Sequence, residues 1–191
     1  KLFGIGTESF TVGSHEFYLG YAAKNSCGIC MDTGHYHPTE NIADKLSSVT
    51  PFVSDVMLHI SRGIRWDSDH VLIQGDALSD LMGEMKRGNL FSRVGMGLDY
   101  FDASINRVAA WTIGLRAFGK ALLGALLEPT ALLFEAEVAE DYTSRLALLE
   151  EFKNLPINAI WDMACHMKSV PVGNEWLDQL KRYERDVQSA R

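Results

Sequence analysis

Short apolar runs that alternate with helical patterns are the feature that most constrains the fold of this chain. Runs at 28–32, 56–60 and 94–98 read as buried strands, and residues 1–5 have the composition of the end of a fourth strand. Strands separated by helices join in right-handed βαβ units. The sequence therefore predicts an α/β fold with a parallel sheet.

Helical patterns lie between these runs. Ser14 is a suitable N-cap for a helix to about residue 25, and a second helix is predicted at 41–48 after Pro38 and Thr39. Asp76 is predicted to cap a third helix, which ends at Gly88. The buried face of the first helix is predicted to carry its aromatic residues Phe17, Tyr18 and Tyr21.

After Asp99 the chain is predicted to be helical to its end. Trp111, Leu115, Phe118 and Leu122 form a stripe on the first of these helices, and further helices are expected at about 141–154, 156–168 and 174–188. The last of them is predicted to turn four residues inward: Trp176, Leu177, Leu180 and Tyr183.

Four parallel strands are about half of a (β/α)8 barrel, which usually takes about 250 residues. A doubly wound sheet is the competing architecture, but polar residues at the strand ends favour the barrel. We expect residues 1–106 to form part of such a barrel, with the candidate site residues. Residues 107–191 are expected to be a C-terminal helical extension that packs on the barrel and forms an oligomer interface.

Composition excludes some classes of function. The chain has 191 residues, 47% of them hydrophobic, and a formal net charge of −7. An acidic balance argues against a nucleic-acid partner, because backbone binders carry a basic patch. No uninterrupted apolar run approaches the roughly 20 residues of a membrane span, and no charged-then-apolar leader opens the chain. The chain begins with Lys1 rather than Met, which indicates a fragment, a processed product or a shortened chain.

Three cysteines (Cys27, Cys30 and Cys165) indicate a reducing compartment and a cytoplasmic location. Cys27 and Cys30 have the spacing of a redox or zinc motif, but no second pair follows them. We interpret the cysteines as ordinary buried thiols.

Polar residues where the strands end suggest a metal site. Asp32, His59 and Asp99 lie at or near the ends of three successive strands, so in a barrel they would share one mouth. They could close around one divalent ion with at least one more ligand. The alternative is that they are unrelated structural residues, such as a capping Asp beside a surface His.

A second set of ligands is predicted next to the first. His35 follows Asp32 across a turn, and Asp67 and Asp69 are two apart in an extended loop, which puts both carboxylates on one side. This set leaves positions open for water or substrate, and such ligands suit Mn²⁺, Mg²⁺ or Co²⁺. His37 and His70 are interpreted either as supports for the ligands or as surface residues.

Long ordered stretches resemble the L-rhamnose isomerase family. They are Cys-Met-Asp-Thr-Gly-His-Tyr-His-Pro-Thr-Glu from residue 30, Arg-Trp-Asp-Ser-Asp-His from residue 65, and Gly-Leu-Asp-Tyr-Phe-Asp-Ala-Ser-Ile-Asn-Arg from residue 97. The resemblance runs nearly from end to end. It implies interconversion of L-rhamnose and L-rhamnulose on a xylose-isomerase-like (β/α)8 TIM barrel, of which this chain would be the second half. It also implies a homotetramer for the full-length protein.

The resemblance also implies two divalent ions, typically Mn²⁺, with Mg²⁺, Co²⁺ or Zn²⁺ as alternatives. The structural ion would take Asp32, His59 and Asp99, and the catalytic ion would take the second set, His35, Asp67 and Asp69. Lys1 would orient or polarise the sugar, and Asp99 would share in proton handling. The sequence departs from the family in lacking a glutamate ligand, expected just before Lys1, and the first half of the barrel.

Two other functions remain open. The chain could serve an isomerase of another aldose, because pocket residues elsewhere in the barrel set the choice of sugar. Alternatively, the isolated chain is inactive and contributes only structure and assembly surface. A metal-dependent phosphodiesterase on a similar barrel is disfavoured, because the basic groove is missing.

Overall fold

A computed structural model describes residues 14–37, 39–64 and 69–190, and it confirms the α/β fold with parallel strands. Strands β1 (Ile29–Asp32), β2 (Val56–Ile60) and β3 (Val94–Leu98) form one sheet in the order β1-β2-β3. Both neighbouring pairs are parallel, and the predicted strand boundaries agree within one residue. The predicted strand at 1–5 lies outside the described residues.

Helices α1 (His15–Asn25), α2 (Ile42–Val49), α3 (Asp76–Arg87) and α4 (Arg107–Leu127) accompany this sheet in the sequence. Ser14 caps α1 as predicted, because its side chain accepts a hydrogen bond from Phe17 N–H. The predicted cap of α3 is wrong by one residue. Gly75 occupies the N-cap position, and Asp76 is the first helical residue, where its negative charge suits the positive end of the helix dipole.

The contacts divide the chain into two compact units, Lys1–Ala125 and Leu126–Arg191. The division at residue 106, between the partial barrel and a helical extension, stays a prediction.

One face of the sheet carries the hydrophobic core of the first unit. Met31, Leu58 and Ile60 are almost completely buried there. The same core includes Leu46 of α2 and Met82 and Met85 of α3, and α2 packs against α3. Alternation along each strand places every second side chain on this face. The remaining side chains therefore lie on the opposite face of the sheet.

The opposite face is open among the described residues, and we call it the open face. It presents Cys30 and Met57 at one level and Asp32 and His59 at the next level towards the strand ends. Met57 is 45% exposed and Cys30 is also exposed. The expectation of buried thiols is therefore wrong for Cys30 and for exposed Cys27, whereas Cys165 is buried.

Helical periodicity did not identify every buried face correctly. Phe17, Tyr18 and Tyr21 on α1 are 61%, 43% and 56% exposed, so their predicted burial is wrong. On α4, Trp111 and Leu115 are also exposed, while Phe118 and Leu122 pack against the core. Periodicity shows that apolar residues share a face, but it does not show whether another element covers that face.

The second unit is helical. It contains α5 (Thr130–Val138), α6 (Tyr142–Phe152), α7 (Ile157–Met167), α8 (Glu175–Tyr183) and a π-helical turn, Glu184–Gln188. α5 packs against α6, and Asp141 caps α6 by accepting a hydrogen bond from Ser144 N–H. Of the residues predicted to face inward on the last helix, Leu180 is buried, Trp176 and Leu177 are partly buried, and Tyr183 is exposed.

The 21-residue helix α4 is long and apolar enough to cross a membrane, judged by length and composition alone. It also carries Arg116 and Lys120 and supplies Ala110 and Ala117 to the hydrophobic core. Core helices of globular domains pass the same test, so α4 is weak support for a membrane span.

Close packing of α4 against Tyr100 depends on a glycine. Tyr100 is buried, and its hydroxyl donates a hydrogen bond to the carbonyl of Trp111. A Cβ atom at Gly114 would overlap the Tyr100 ring, whereas a Cβ at Gly124 of the same helix would meet nothing within 4 Å.

We expect Gly114→Ala to lower the free energy of unfolding by about 1–3 kcal/mol, the usual cost of overpacking a core. The matched control, Gly124→Ala, should raise it by up to about 1 kcal/mol, because alanine is the better helix former. Urea unfolding measures both. A Gly114→Ala chain as stable as the Gly124→Ala chain would contradict the packing argument.

Candidate metal centre

Parallel register brings the first candidate ligands together. Asp32, the last residue of β1, lies opposite His59 of β2, so both side chains belong to the open face. His59 Nδ1 lies 3.3 Å from Asp32 Oδ2 and 3.4 Å from Asp99 Oδ2. Asp99 directly follows β3, where its backbone N–H donates to the carbonyl of Ile60. The structure therefore places both carboxylates of the first predicted set beside the imidazole of His59.

The turn after β1 folds His35 back towards Asp32. Gly34 N–H donates to Asp32 Oδ1 at 3.0 Å, and His35 N–H donates to the Asp32 carbonyl at 3.2 Å. His35 Nε2 consequently lies 3.4 Å from Asp32 Oδ2. One oxygen of Asp32 is thus held by the backbone, while the other faces two imidazoles.

Thr33 fastens this turn to the end of β2. Its N–H donates to the carbonyl of His59 at 2.9 Å. Its hydroxyl donates to the carbonyl of Ser61 at 2.7 Å and accepts from Ser61 N–H at 2.9 Å. These bonds fix the distance between the two loops that carry candidate ligands.

Asp69 completes a cluster with Asp32 and His35. His35 Nε2 lies 3.3 Å from Asp69 Oδ1, and Ser61 Oγ donates to the same oxygen at 3.0 Å. The carbonyl of Asp69 accepts from Phe101 N–H, so the loop after β3 also holds it. Asp32, His35 and Asp69 each offer one ligand atom, all within 4.8 Å of one another. Two carboxylates and an imidazole at this spacing suit a divalent cation.

The remaining predicted residues have mixed outcomes. Asp67 and Lys1 lie outside the described residues. His37 Nδ1 lies 2.6 Å from Thr39 Oγ1, and the backbone of His70 pairs with that of Arg62 in a short bridge. Neither histidine belongs to the cluster around Asp32.

Burial makes the charged form of Asp32 unfavourable. Burial, followed by the negative charge of Asp69, raises the pKa of Asp32, although His35, the Gly34 N–H group and His59 act in the opposite direction. Because the raising effects dominate, a cation beside Asp32 would compensate for a carboxylate that the fold alone leaves under-stabilised.

A cavity of about 480 Å³ lies beside this cluster without including its ligands. It is lined by Thr33, Tyr36, Ser61 and Arg62, and by the first turns of α2 and α3. None of Asp32, His35, His59, Asp69 or Asp99 lines it. A small molecule bound in this cavity would therefore not contact these five candidate metal-coordinating residues.

Two supporting residues were missed by the sequence reasoning. Thr33 lies inside the motif that carries Asp32 and His35, and Ser61 directly follows β2, as Thr33 directly follows β1. The same signal that selected Asp32, a polar residue at a strand end, would have selected Ser61.

The chain is similar throughout its length to known proteins. The family model for L-rhamnose isomerase (RhaA) matches residues 1–191. L-rhamnose isomerases from Mannheimia succiniciproducens, Escherichia coli O1:K1 / APEC and Escherichia coli strain K12 are 58%, 56% and 55% identical to it over 191 residues. Each alignment covers 100% of this chain and 46% of the relative. The chain thus spans about half the length of the curated relatives it matches.

We expect Asp32→Asn to raise the metal-free stability of the chain at pH 7. The folded pKa of Asp32 lies above its unfolded value, so the stability associated with its proton is complete below about pH 4 and is lost as the pH rises through the folded pKa. Asparagine has no such loss, and its side-chain oxygen can still accept from Gly34 N–H.

Urea unfolding in EDTA from pH 4 to 7 measures this difference. The gap between Asp32→Asn and the parent chain should widen with pH, whereas the exposed control Asp80→Asn should follow the parent. A parent chain that gains stability over Asp32→Asn across this range would refute the argument.

Proposed function

Because the chain belongs to the L-rhamnose isomerase family, we propose that it carries the metal-binding half of an enzyme that interconverts L-rhamnose and L-rhamnulose. The observation that carries the proposal is the convergence of Asp32, His35 and Asp69 within 4.8 Å, with His59 bridging Asp32 and Asp99. Asp32, His35, Asp69 and Asp99 belong to the stretches that resemble the family.

The cluster fits divalent ions by its donor chemistry. Asp32 Oδ2 is directed at both His35 and His59, while its other oxygen is occupied by the backbone. We propose a structural ion held by Asp32, His59 and Asp99, and a catalytic ion held by His35, Asp67 and Asp69. Mn²⁺ is the proposed metal, with Mg²⁺, Co²⁺ or Zn²⁺ as alternatives that the same ligands accept.

The proposed reaction moves the C2 hydrogen of the open-chain aldose to C1 and the O2 proton to O1, which gives the ketose with the same atoms. The catalytic ion, when bound, would supply Lewis-acid polarisation of the oxygens at C1 and C2. Thr33 and Ser61 hold the ligand-bearing loops at a fixed spacing. Asp99 would take part in handling the proton, and Lys1 would orient the sugar.

The proposed setting is a xylose-isomerase-like (β/α)8 barrel that forms a cytoplasmic homotetramer when the chain is full-length. Support for the barrel comes from the parallel order β1-β2-β3. One face of this sheet packs on helices, and the candidate ligands lie at the strand ends of the other face. A barrel encloses such a face, whereas a doubly wound sheet packs helices on both.

Metal binding is the most direct test. We expect His35→Ala and Asp69→Ala to weaken Mn²⁺ binding to the 191-residue chain by at least about tenfold, since even outer-shell partners of metal ligands contribute 10–100-fold. His37→Ala removes a neighbouring imidazole from outside the cluster and should leave affinity within about twofold. Titration followed by the EPR signal of free Mn²⁺ measures all three. Equal affinity for His35→Ala and His37→Ala would remove the basis of the proposed centre.

Turnover distinguishes the chain from its longer relatives. We expect purified 1–191 to bind Mn²⁺ weakly and to form no L-rhamnulose, because half a barrel lacks the other ligands and leaves strand edges open. A chromatographic product assay with L-rhamnose and Mn²⁺ tests this. Rhamnulose formed by the parent chain but not by His35→Ala would show that these 191 residues are sufficient for isomerisation.

Sugar choice is a separate question, because another aldose is the second candidate substrate. Where the turnover assay detects product, the same assay on several deoxy and common aldoses, with a full-length relative of this family as reference, separates the two. Preference for a different aldose would change the proposed substrate but would leave the proposed metal centre unaffected.

A further inference from the structure

Two helices that contribute no candidate ligand hold the ring of Tyr36, the residue that follows His35. The Tyr36 hydroxyl lies 2.9 Å from Nδ1 of His15, the first residue of α1, and the two ring centroids are 5.6 Å apart. Lys45 of α2 places Nζ 5.8 Å from the centroid of the Tyr36 ring, within the distance at which a cation is attracted to an aromatic face. Tyr36 also packs against the hydrophobic core. The ring is therefore restrained along its whole length.

The contact between Tyr36 and His15 suits a defined hydrogen bond. Burial is the main cause that lowers the pKa of His15, which favours the neutral form of its imidazole. A neutral imidazole has one nitrogen that accepts, and Nδ1 can accept from the Tyr36 hydroxyl. His15 is only partly buried, and the bond spans 21 residues of sequence.

Tyr36 is the second of two anchors for the turn after β1. Thr33 ties the start of the turn to β2 through three hydrogen bonds, and Tyr36 ties its end to α1 and α2. Only Gly34 and His35 lie between these anchors. With both ends fixed, the imidazole of His35 is restricted to the neighbourhood of Asp32 and Asp69, 3.4 and 3.3 Å away.

We propose that His15 is a positioning residue for the metal centre, acting through Tyr36 to orient His35. Among the described residues, His15 contacts Tyr36 rather than a candidate ligand. Its role in metal binding rests on the proposed function, but its effect on the geometry of the turn does not. The two effects can be measured separately.

The first measurement needs no metal. Amide hydrogen exchange at Gly34, His35 and Tyr36 is compared in the parent chain, His15→Phe, His15→Asn and Tyr36→Phe, in EDTA. His15→Phe keeps a ring but loses the acceptor, and Tyr36→Phe loses the hydroxyl, so both should exchange at least about fivefold faster in the turn. His15→Asn returns an acceptor near the place of Nδ1 and should recover most of the protection.

Two controls separate a local effect from general loss of stability. Core amides of α3, such as those of Met82 and Met85, should exchange at the parent rate in every variant. Tyr21→Phe removes an exposed hydroxyl from α1 and should change nothing. The double variant His15→Phe/Tyr36→Phe should be no faster than either single variant, because both remove the same bond.

The second measurement is Mn²⁺ affinity. His15→Phe and Tyr36→Phe should weaken it by about tenfold, the lower end of the range for outer-shell residues, and His15→Asn should restore it. If the parent chain binds no Mn²⁺, or if His35→Ala binds it equally well, the proposed metal function fails, while the exchange result still decides the role of His15. The inference would be overturned if the amides of the turn in His15→Phe exchange within twofold of the parent rate. It would also be overturned if the amides of α3 exchange faster by the same factor as those of the turn. The inference would also be overturned if His15→Phe speeds exchange in the turn but leaves the Mn²⁺ affinity unchanged, while His35→Ala lowers that affinity.

Discussion

The parallel register of β1 with β2 is the interaction on which the candidate centre depends. It sets Asp32 opposite His59 on the same face of the sheet. The ladder is extended beyond the strand by the bond from Thr33 N–H to the carbonyl of His59. A slip of one residue would turn one of the two side chains into the hydrophobic core, because side chains alternate between faces. The apolar packing of Met31 and Leu58 thus specifies the position of the polar residues beside them.

The bonds around the turn have a second consequence, since they hold like charges together. Ser61 and Phe101 fix Asp69, and Gly34 fixes Asp32, so neither carboxylate can move apart without losing a hydrogen bond. Burial and the neighbouring negative charge of Asp69 raise the pKa of Asp32. Holding such a cluster together lowers the stability of the fold, and the same hydrogen bonds preorganise its carboxylate and imidazole groups.

The sequence predicted local features such as the N-cap of α1 correctly, but it did not predict which apolar faces are covered by another element. Ser14 was identified as a helix cap because capping needs only a side-chain oxygen three residues from the N–H that it accepts from. The burial of Phe17 and Tyr21 was predicted wrongly, because a helical stripe indicates a shared face and not its neighbour. Cys30 was misjudged for a related reason, since a short apolar strand reads as buried on both faces.

By itself the sequence determined the order of strands and helices, the parallel pairing and the residues from which a metal centre could be built. These follow from periodicity, caps and strand ends, all of which act over a few neighbouring residues. Only the tertiary structure decided that Asp32 faces both His35 and His59, and that His15 reaches Tyr36. The contacts of His15 with Tyr36 and of Asp32 with His59 join residues 21 and 27 positions apart. Their distances depend on how whole elements pack, and no local pattern in the chain encodes that.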